Sequence, residues 1–343
     1  MCSGIFKFTV RKLEIEATTD TVNFWKSIMS RKTSRKAVAG AGIVFNGEVC
    51  RGREELVEQW GLYFKDLYVP SESSDFDSEW KQVVESTVNE TFGLLTADEN
   101  AFVSSETIQK VIKTLPRGKA GNDDHVVYEH FIYGIQEVAP VLANLYTYML
   151  RCGYIPERMK TGVIIKLHKG GKKRKDEPNN YRAITLSSVV LKLYEMVLLD
   201  RCQDTLLEKI NIQQGGFQHG LGCIMSSFML RERIYYGYEQ SSKVYTCFLD
   251  GKQAFDHVWH SGLFLKLMEN SVDSTTLLSI REMYTNSRSR VKTQGLFSEE
   301  FPVLQGTRQG GRSSPLMYMV FINGHIEELE VSGFGFCMYG KQI

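Results

Sequence analysis

Apolar residues recur at helical spacing along much of the chain. Glu54 to Tyr68 is amphipathic and predicts a helix, as do Val138, Val141, Leu142, Leu145 and Met149, whose helix Gly153 and Pro156 should end. Residues 188–207 and 225–238 predict two more, with a glycine-punctuated loop at Phe217 to Gly222 in front of the second. Gly162 to Leu167 reads as a short buried strand and Asn179 to Leu186 as a second, so the basic run His168 to Lys175 between them forms the flexible turn of a hairpin. Lys243 to Leu249 is rich in β-formers and predicts a strand that delivers Asp250 at its end. Strands and helices do not alternate regularly, which points to an α+β fold and away from a doubly wound sheet.

The first hundred residues are charged, and the Ser/Asp/Glu-rich stretch from Ser71 to Glu79 reads as a linker. From Ser104 the apolar periodicity strengthens, and the core domain is expected to start there. The 343 residues are enough for one large or two moderate domains. Lys plus Arg total 41 against 40 for Asp plus Glu, so any argument for a polyanionic partner must be local. Seven scattered cysteines without a C-x-x-C pair suggest neither a disulfide framework nor a structural zinc site, but reduced, mostly buried thiols. The apolar stretch Ser187 to Leu199 is broken by Lys192 and Glu195, well short of a membrane span. These features lead to the expectation of an intracellular protein, nuclear or cytoplasmic.

Three segments carry candidate chemistry. In Val244 to Asp256 an apolar strand presents Asp250, a hard oxygen donor suited to magnesium and substrate phosphates; equally, an Asp at a strand end can be a turn former or helix cap. In Gln305 to Pro315, Gly310 and Gly311 between Gln309 and Arg312 let the backbone approach a ligand closely, or form a loop before a helix over Leu316 to Ile322 capped by Ser313 or Ser314. Lys166 to Lys175 includes Lys166, Lys169, Lys172, Lys173, Arg174 and Lys175, with Arg182 following; it can neutralise phosphates or be a solvated hairpin tip. His257 and His260 lack a third ligand and read as packing or surface residues.

In order and spacing, these segments resemble the reverse transcriptase domain of non-LTR retrotransposons over roughly residues 105–343. Gly118 to Asp123 is similar to the family's K-A-x-G-x-D element. Lys166 to Leu186 is similar to its fingers hairpin, Gln214 to Phe217 to Q-x-G-F, Phe248 to Val258 to F-x-D-x-x-K-A-F-D-x-V, and Arg308 to Pro315 to R-Q-G-x-x-x-S-P. Phe24 to Tyr68 resembles, more loosely, the connector between endonuclease and polymerase in such elements. Gln253, Ala183 and Met159 stand where the family usually has Lys, Pro and Trp.

The resemblance implies a right-hand polymerase fold: a mostly helical N-terminal extension over 1–100, fingers over 101–240 and part of a palm over 241–343. It implies that Asp250 is catalytic and binds Mg2+, and that Phe255 is the gate under the nucleotide sugar. Arg182 and Lys166 would hold the triphosphate, Gln309 and Gly310 would line the nucleotide pocket, and Asp256 would support the fold. Lys169, Lys172, Lys173, Arg174 and Lys175 would bind nucleic acid. The implied partners are an RNA template, a DNA primer and deoxynucleoside triphosphates, with no membrane. No Tyr-Ala-Asp-Asp occurs in the 343 residues, so the expectation is a reverse transcriptase domain lacking part of its metal-binding set. The competing expectation is an inactive nucleic-acid-binding remnant or a host interaction module.

Overall fold

The computed structural model describes residues 42–70, 76–218, 220–307 and 310–333, together with the backbone of 337–338 and 341–342. In chain order the elements are β1 (Ile43–Phe45), β2 (Glu48–Cys50), α1 (Arg53–Tyr68), α2 (Ser78–Leu94), α3 (Ser105–Lys113), α4 (Tyr128–Tyr133), α5 (Ile135–Cys152), α6 (Glu157–Lys160) and β3 (Thr161–His168). They continue with β4 (Tyr181–Leu186), α7 (Val189–Lys209), α8 (Cys223–Glu239), α9 (His260–Glu269), α10 (Ser274–Tyr284), β5 (Arg288–Thr293), β6 (Leu296–Phe297), β7 (Phe301–Pro302), α11 (Ser314–Val331), β8 (Cys337–Met338) and β9 (Lys341–Gln342). The mixture of helices and sheet is of the α+β kind.

The basic hairpin forms as its pattern predicts. β3 lies inside the sheet, antiparallel to β4 and parallel to β5, while β4 is an edge strand. Ile164 and Val291 face α1 across the sheet and pack with Trp60, Phe64, Phe301 and Val303 in one buried cluster. Trp60 stacks on Phe64 with centroids 5.5 Å apart, and Phe45 meets Trp60 edge-on at 5.2 Å. The i, i+4, i+8, i+12 spacing of Leu56, Trp60, Phe64 and Tyr68 makes α1 the apolar cover of the sheet.

A second, larger cluster is helical. Tyr146, Met149 and Leu150 of α5 and Leu193, Tyr194 and Val197 of α7 are all buried within it, and α2, α3, α9, α10 and α11 add to it. Gly153 ends α5 in the left-handed conformation at φ 57°, as the sequence pattern predicts. Asp123, in the K-A-x-G-x-D-like element, forms an ion pair with Arg290 of β5, so that element serves to dock a loop on the sheet.

One expected strand is absent. Residues 243–250 form no ladder among the described residues, and Tyr245, Phe248 and Leu249 are 88%, 79% and 78% exposed. β-propensity cannot by itself satisfy backbone donors and acceptors; a strand requires a neighbour, and this segment has none among the described residues. The preceding helix α8 is exposed along most of its length too, with Ile224 at 89% and Tyr238 at 67%. The cysteine expectation also needs correction. Of the described cysteines Cys50 and Cys202 are buried, while Cys152, Cys223 and Cys247 are exposed. No helix among the described residues is long and apolar enough to cross a membrane.

Contiguous exposed apolar side chains beside an unpaired backbone promote association between copies. The triple variant Tyr245→Lys, Phe248→Lys, Leu249→Lys should therefore remove concentration-dependent self-association in sedimentation velocity. Its melting temperature should stay close to that of the parent, because exposed substitutions usually change stability by only about 0.5 kcal/mol or less. A large loss of melting temperature would mean that the segment is packed in solution.

Candidate nucleotide pocket

The two hydrophobic clusters leave a cavity of about 580 Å³ between the β4 edge, α1 and the turn after Asp250. Its lining brings together Lys169, Lys173, Arg182, Asp250, Phe255 and Gly310, six of the residues singled out in the sequence. Such a volume suits a nucleotide-sized ligand, since small-molecule sites run from about 300 to 1,000 Å³.

Backbone bonds between two distant loops build one wall. The N–H of Thr307 donates to the Phe255 carbonyl at 2.7 Å and that of Gly306 to the Val258 carbonyl at 2.7 Å. Gly306 has φ +87°, and a Cβ there would lie 2.6 Å from the Asp256 carbonyl oxygen, so only glycine permits this approach. Gln305 Nε2 donates to the Leu67 carbonyl at 2.9 Å, and His260 Nε2 donates to the Gly306 carbonyl at 3.0 Å. Asp256 is buried, and its Oδ1 accepts from the Tyr68 hydroxyl at 3.1 Å. Further along the same loop Gly310, at φ +113°, would place a Cβ 3.0 Å from the Thr185 carbonyl on the β4 edge.

Phe255 is held from two sides. Its ring stacks on Tyr318 of α11 at 4.7 Å and meets Phe217 edge-on at 5.7 Å. Gln214, at the head of the same Q-x-G-F element, donates through Nε2 to the Met319 carbonyl at 3.2 Å, which ties that element to α11. Phe217 and Tyr63 line the cavity without having been assigned to it from sequence. Phe217 was within reach because it lies in a family element, whereas Tyr63 carries no signal beyond its place on an amphipathic helix.

The cavity is electropositive at the hairpin. Burial pushes the Lys169 ammonium below its ordinary pKa, and Lys173, Arg182 and Lys252 push in the same direction, against Asp256. Like charges gathered at one mouth favour a bound anion, which lowers their mutual repulsion. Asp250 also lines the cavity and is exposed.

Other basic residues are not brought in. Lys166 pairs with Ala183 and Leu167 with Arg182, so Lys166 and Arg182 project from opposite faces of the hairpin. The Lys166 ammonium donates to Thr293 Oγ1 at 2.7 Å and lies 5.3 Å over the Trp60 ring; burial pushes its pKa down to about 8. Arg174 is held in a two-point pair by Asp176, and its Nε lies 3.3 Å from Glu177 Oε1. Lys172 and Lys175 are exposed at the tip. The turn itself is structured: Asn180 Nδ2 donates to the Arg174 carbonyl at 2.9 Å and the Tyr181 hydroxyl to the Lys175 carbonyl at 2.7 Å. Gln309 lies outside the described residues.

Residues 169–339 match the family model described as reverse transcriptase (RNA-dependent DNA polymerase). A probable RNA-directed DNA polymerase from the X-element transposon of Drosophila melanogaster is 26% identical over 338 residues, 96% of this chain and 35% of the relative. The RNA-directed DNA polymerase of mobile element jockey from the same organism is 30% identical over 227 residues, 64% of this chain and 24% of the relative. That of transposon BS is 29% identical over 219 residues, 63% and 24% respectively. Over the matched residues the chain carries a reverse transcriptase domain of the kind found in non-LTR retrotransposons. The chain spans about a quarter to a third of the length of these relatives. The family match covers the hairpin tip, Phe255 and the glycine loop, which are the elements that converge on the cavity.

The family generally uses divalent metal ions. The carboxylates lining the cavity are Asp250 and Asp256, and Asp256 already accepts from Tyr68. Among the described residues no group of three or more His, Cys, Asp or Glu could hold a metal ion. This donor set does not fit a resident two-metal centre.

Lys166 gives a pH test of the geometry. Its folded pKa of about 8 lies below the unfolded 10.5, so between these values the unfolded chain binds more protons and stability rises with pH. Lys166→Met should flatten that rise in denaturant titrations at pH 7.5 to 10.5 while leaving nucleotide affinity within about twofold. A loss of nucleotide binding would put Lys166 back in the pocket.

Proposed function

We propose that the cavity receives a deoxynucleoside triphosphate for RNA-templated DNA synthesis. Arg182, Lys169 and Lys173 face its phosphates, and the Gly310 to Gly311 backbone lies alongside the nucleotide. Phe255, clamped between Tyr318 and Phe217, occupies the space beneath the sugar and excludes a 2′-hydroxyl by contact. The observation that carries this reading is that Lys169, Lys173 and Arg182 line the same cavity as Phe255. The RNA template tracks the exposed ammonium groups of Lys172, Lys173 and Lys175, and the DNA primer presents its 3′-hydroxyl from the Asp250 side.

In such a reaction a 3′-hydroxyl attacks the α-phosphorus in line and pyrophosphate leaves, so positioning and charge neutralisation supply most of the rate. The residues here bind and orient: cations hold the phosphates and the aromatic clamp fixes the sugar. Metal chemistry needs more donors than Asp250 provides. That shortage, among the described residues, favours the reading in which substrates bind without turnover.

Titrating the protein with a fluorescent deoxynucleoside triphosphate tests the pocket. Arg182→Ala should weaken binding about ten- to a hundredfold, the range of a lost charge-assisted hydrogen bond. Unchanged affinity would remove Arg182 from the site. Primer extension on the same preparation should be absent, and extension abolished by Asp250→Ala would overturn the binding-only reading. RNA binding gives a second test. Because Arg174 is neutralised within its own loop, replacing Lys172, Lys173 and Lys175 by Ala should flatten log affinity against log salt by up to about two units, at about 0.7 per single-strand phosphate contact. Arg174→Ala should leave that slope unchanged.

A further inference from the structure

We propose that Glu195 is a positioning residue for the nucleotide pocket, acting as an N-cap supplied from another helix to the start of α11. This rests on the nucleotide reading of the cavity, but the contact itself does not. Glu195 lies on α7, is 7% exposed, and with Lys192 is one of two charges in an otherwise apolar stretch of sequence. Its Oε1 accepts from the Ser313 N–H at 2.9 Å and also from the Ser313 hydroxyl. Ser313 is the N-cap position of α11, yet its own side chain caps no backbone N–H of that helix. The expected self-cap by Ser313 is thus replaced: its hydroxyl turns to the carboxylate of α7.

A helix of 18 residues presents partial positive charge at its N-terminus, where a carboxylate is favourable. Here the carboxylate is embedded. Small cavities of about 10 Å³ flank it, lined by Leu191, Leu198, Ile280, Met283, Tyr284 and Met317 among others. In such surroundings hydrogen bonds to a charged acceptor are strong and an unmet donor is costly. Lys192, one turn away on α7, is buried as well; burial lowers its pKa and Glu195 opposes that.

The consequence reaches the pocket through two walls. The glycine loop is tied at one end by the Gly306 and Thr307 backbone bonds, and Glu195 ties the other end at Ser313. Gly310, Gly311, Ser314 and Pro315, which line the cavity, lie between or beside these ties. α11 also carries Tyr318, on which Phe255 stacks at 4.7 Å. Releasing Ser313 would therefore loosen the loop beside the nucleotide and the aromatic clamp under its sugar together.

The test compares Glu195→Met, which keeps bulk but removes the acceptor, with Glu195→Gln, which keeps an acceptor oxygen without the charge. Ser313→Ala removes only the hydroxyl bond. Hydrogen exchange over residues 305–317 should accelerate about tenfold in Glu195→Met and recover most of the parental protection in Glu195→Gln. Exchange in β3 and β4 should not change. Affinity for the fluorescent triphosphate should fall about tenfold or more in Glu195→Met and less in Glu195→Gln and Ser313→Ala, while RNA affinity and its salt slope stay at parental values. If Glu195→Met melts prematurely, the comparison of Glu195→Gln with Ser313→Ala and their double variant decides, with non-additive effects on local exchange expected. Parental exchange over 305–317 in all these variants would overturn the proposal. So would a uniform loss of protection throughout the protein. If Arg182→Ala weakens the triphosphate but Glu195→Met does not, the positioning role fails and the pocket reading stands. If local exchange responds but neither Arg182→Ala nor Glu195→Met affects the triphosphate, the nucleotide reading fails and Glu195 remains only the anchor of the loop.

Discussion

The candidate site depends on one close approach of two backbones. At Gly306 the chain passes so near Asp256 that no side chain can intervene, and paired bonds from Gly306 and Thr307 to Val258 and Phe255 fix the register. One wall of the cavity is built around that contact. It places Phe255 between Tyr318 and Phe217, directs Gln305 to the Leu67 carbonyl of α1, and holds Asp256 where Tyr68 can reach it. Two segments some fifty residues apart in sequence thus act as one wall, and α1 is part of its support.

Sheet geometry then sorts the basic residues. Along the hairpin, alternation sends Arg182 to the cavity and Lys166 beneath α1, although both belong to one run of positive charge in the sequence. At the turn, Asp176 and Glu177 neutralise Arg174 while Lys172 and Lys175 remain exposed. A charge count treats these side chains alike. The set that lines the cavity is smaller, and it is concentrated where Lys169 already feels Lys173 and Arg182.

Helices α5 and α7, the β3 to β4 hairpin and the left-handed stop at Gly153 were legible because each follows from local periodicity and turn chemistry. Residues 243–250 were misread as a strand because β-propensity measures fit to a sheet surface, and no neighbouring strand is available among the described residues. The order of five short elements pointed to the family, and the comparisons agree with it. The same order did not reveal Tyr63 as a wall of the pocket or Glu195 as a cap, since both act across contacts between helices or loops distant in sequence.

By itself the sequence determined the secondary structure of the periodic segments, the family, and the presence of Asp250, Phe255, Arg182 and the glycine loop as candidates. Local propensity and side-chain chemistry are properties of short stretches, and short stretches suffice to display them. Tertiary structure decided which cations share a cavity, which carboxylate is already engaged, and where a helix finds its cap. Those outcomes depend on strand register, on burial and on the distance between atoms far apart in sequence, and these quantities exist only once the chain has packed.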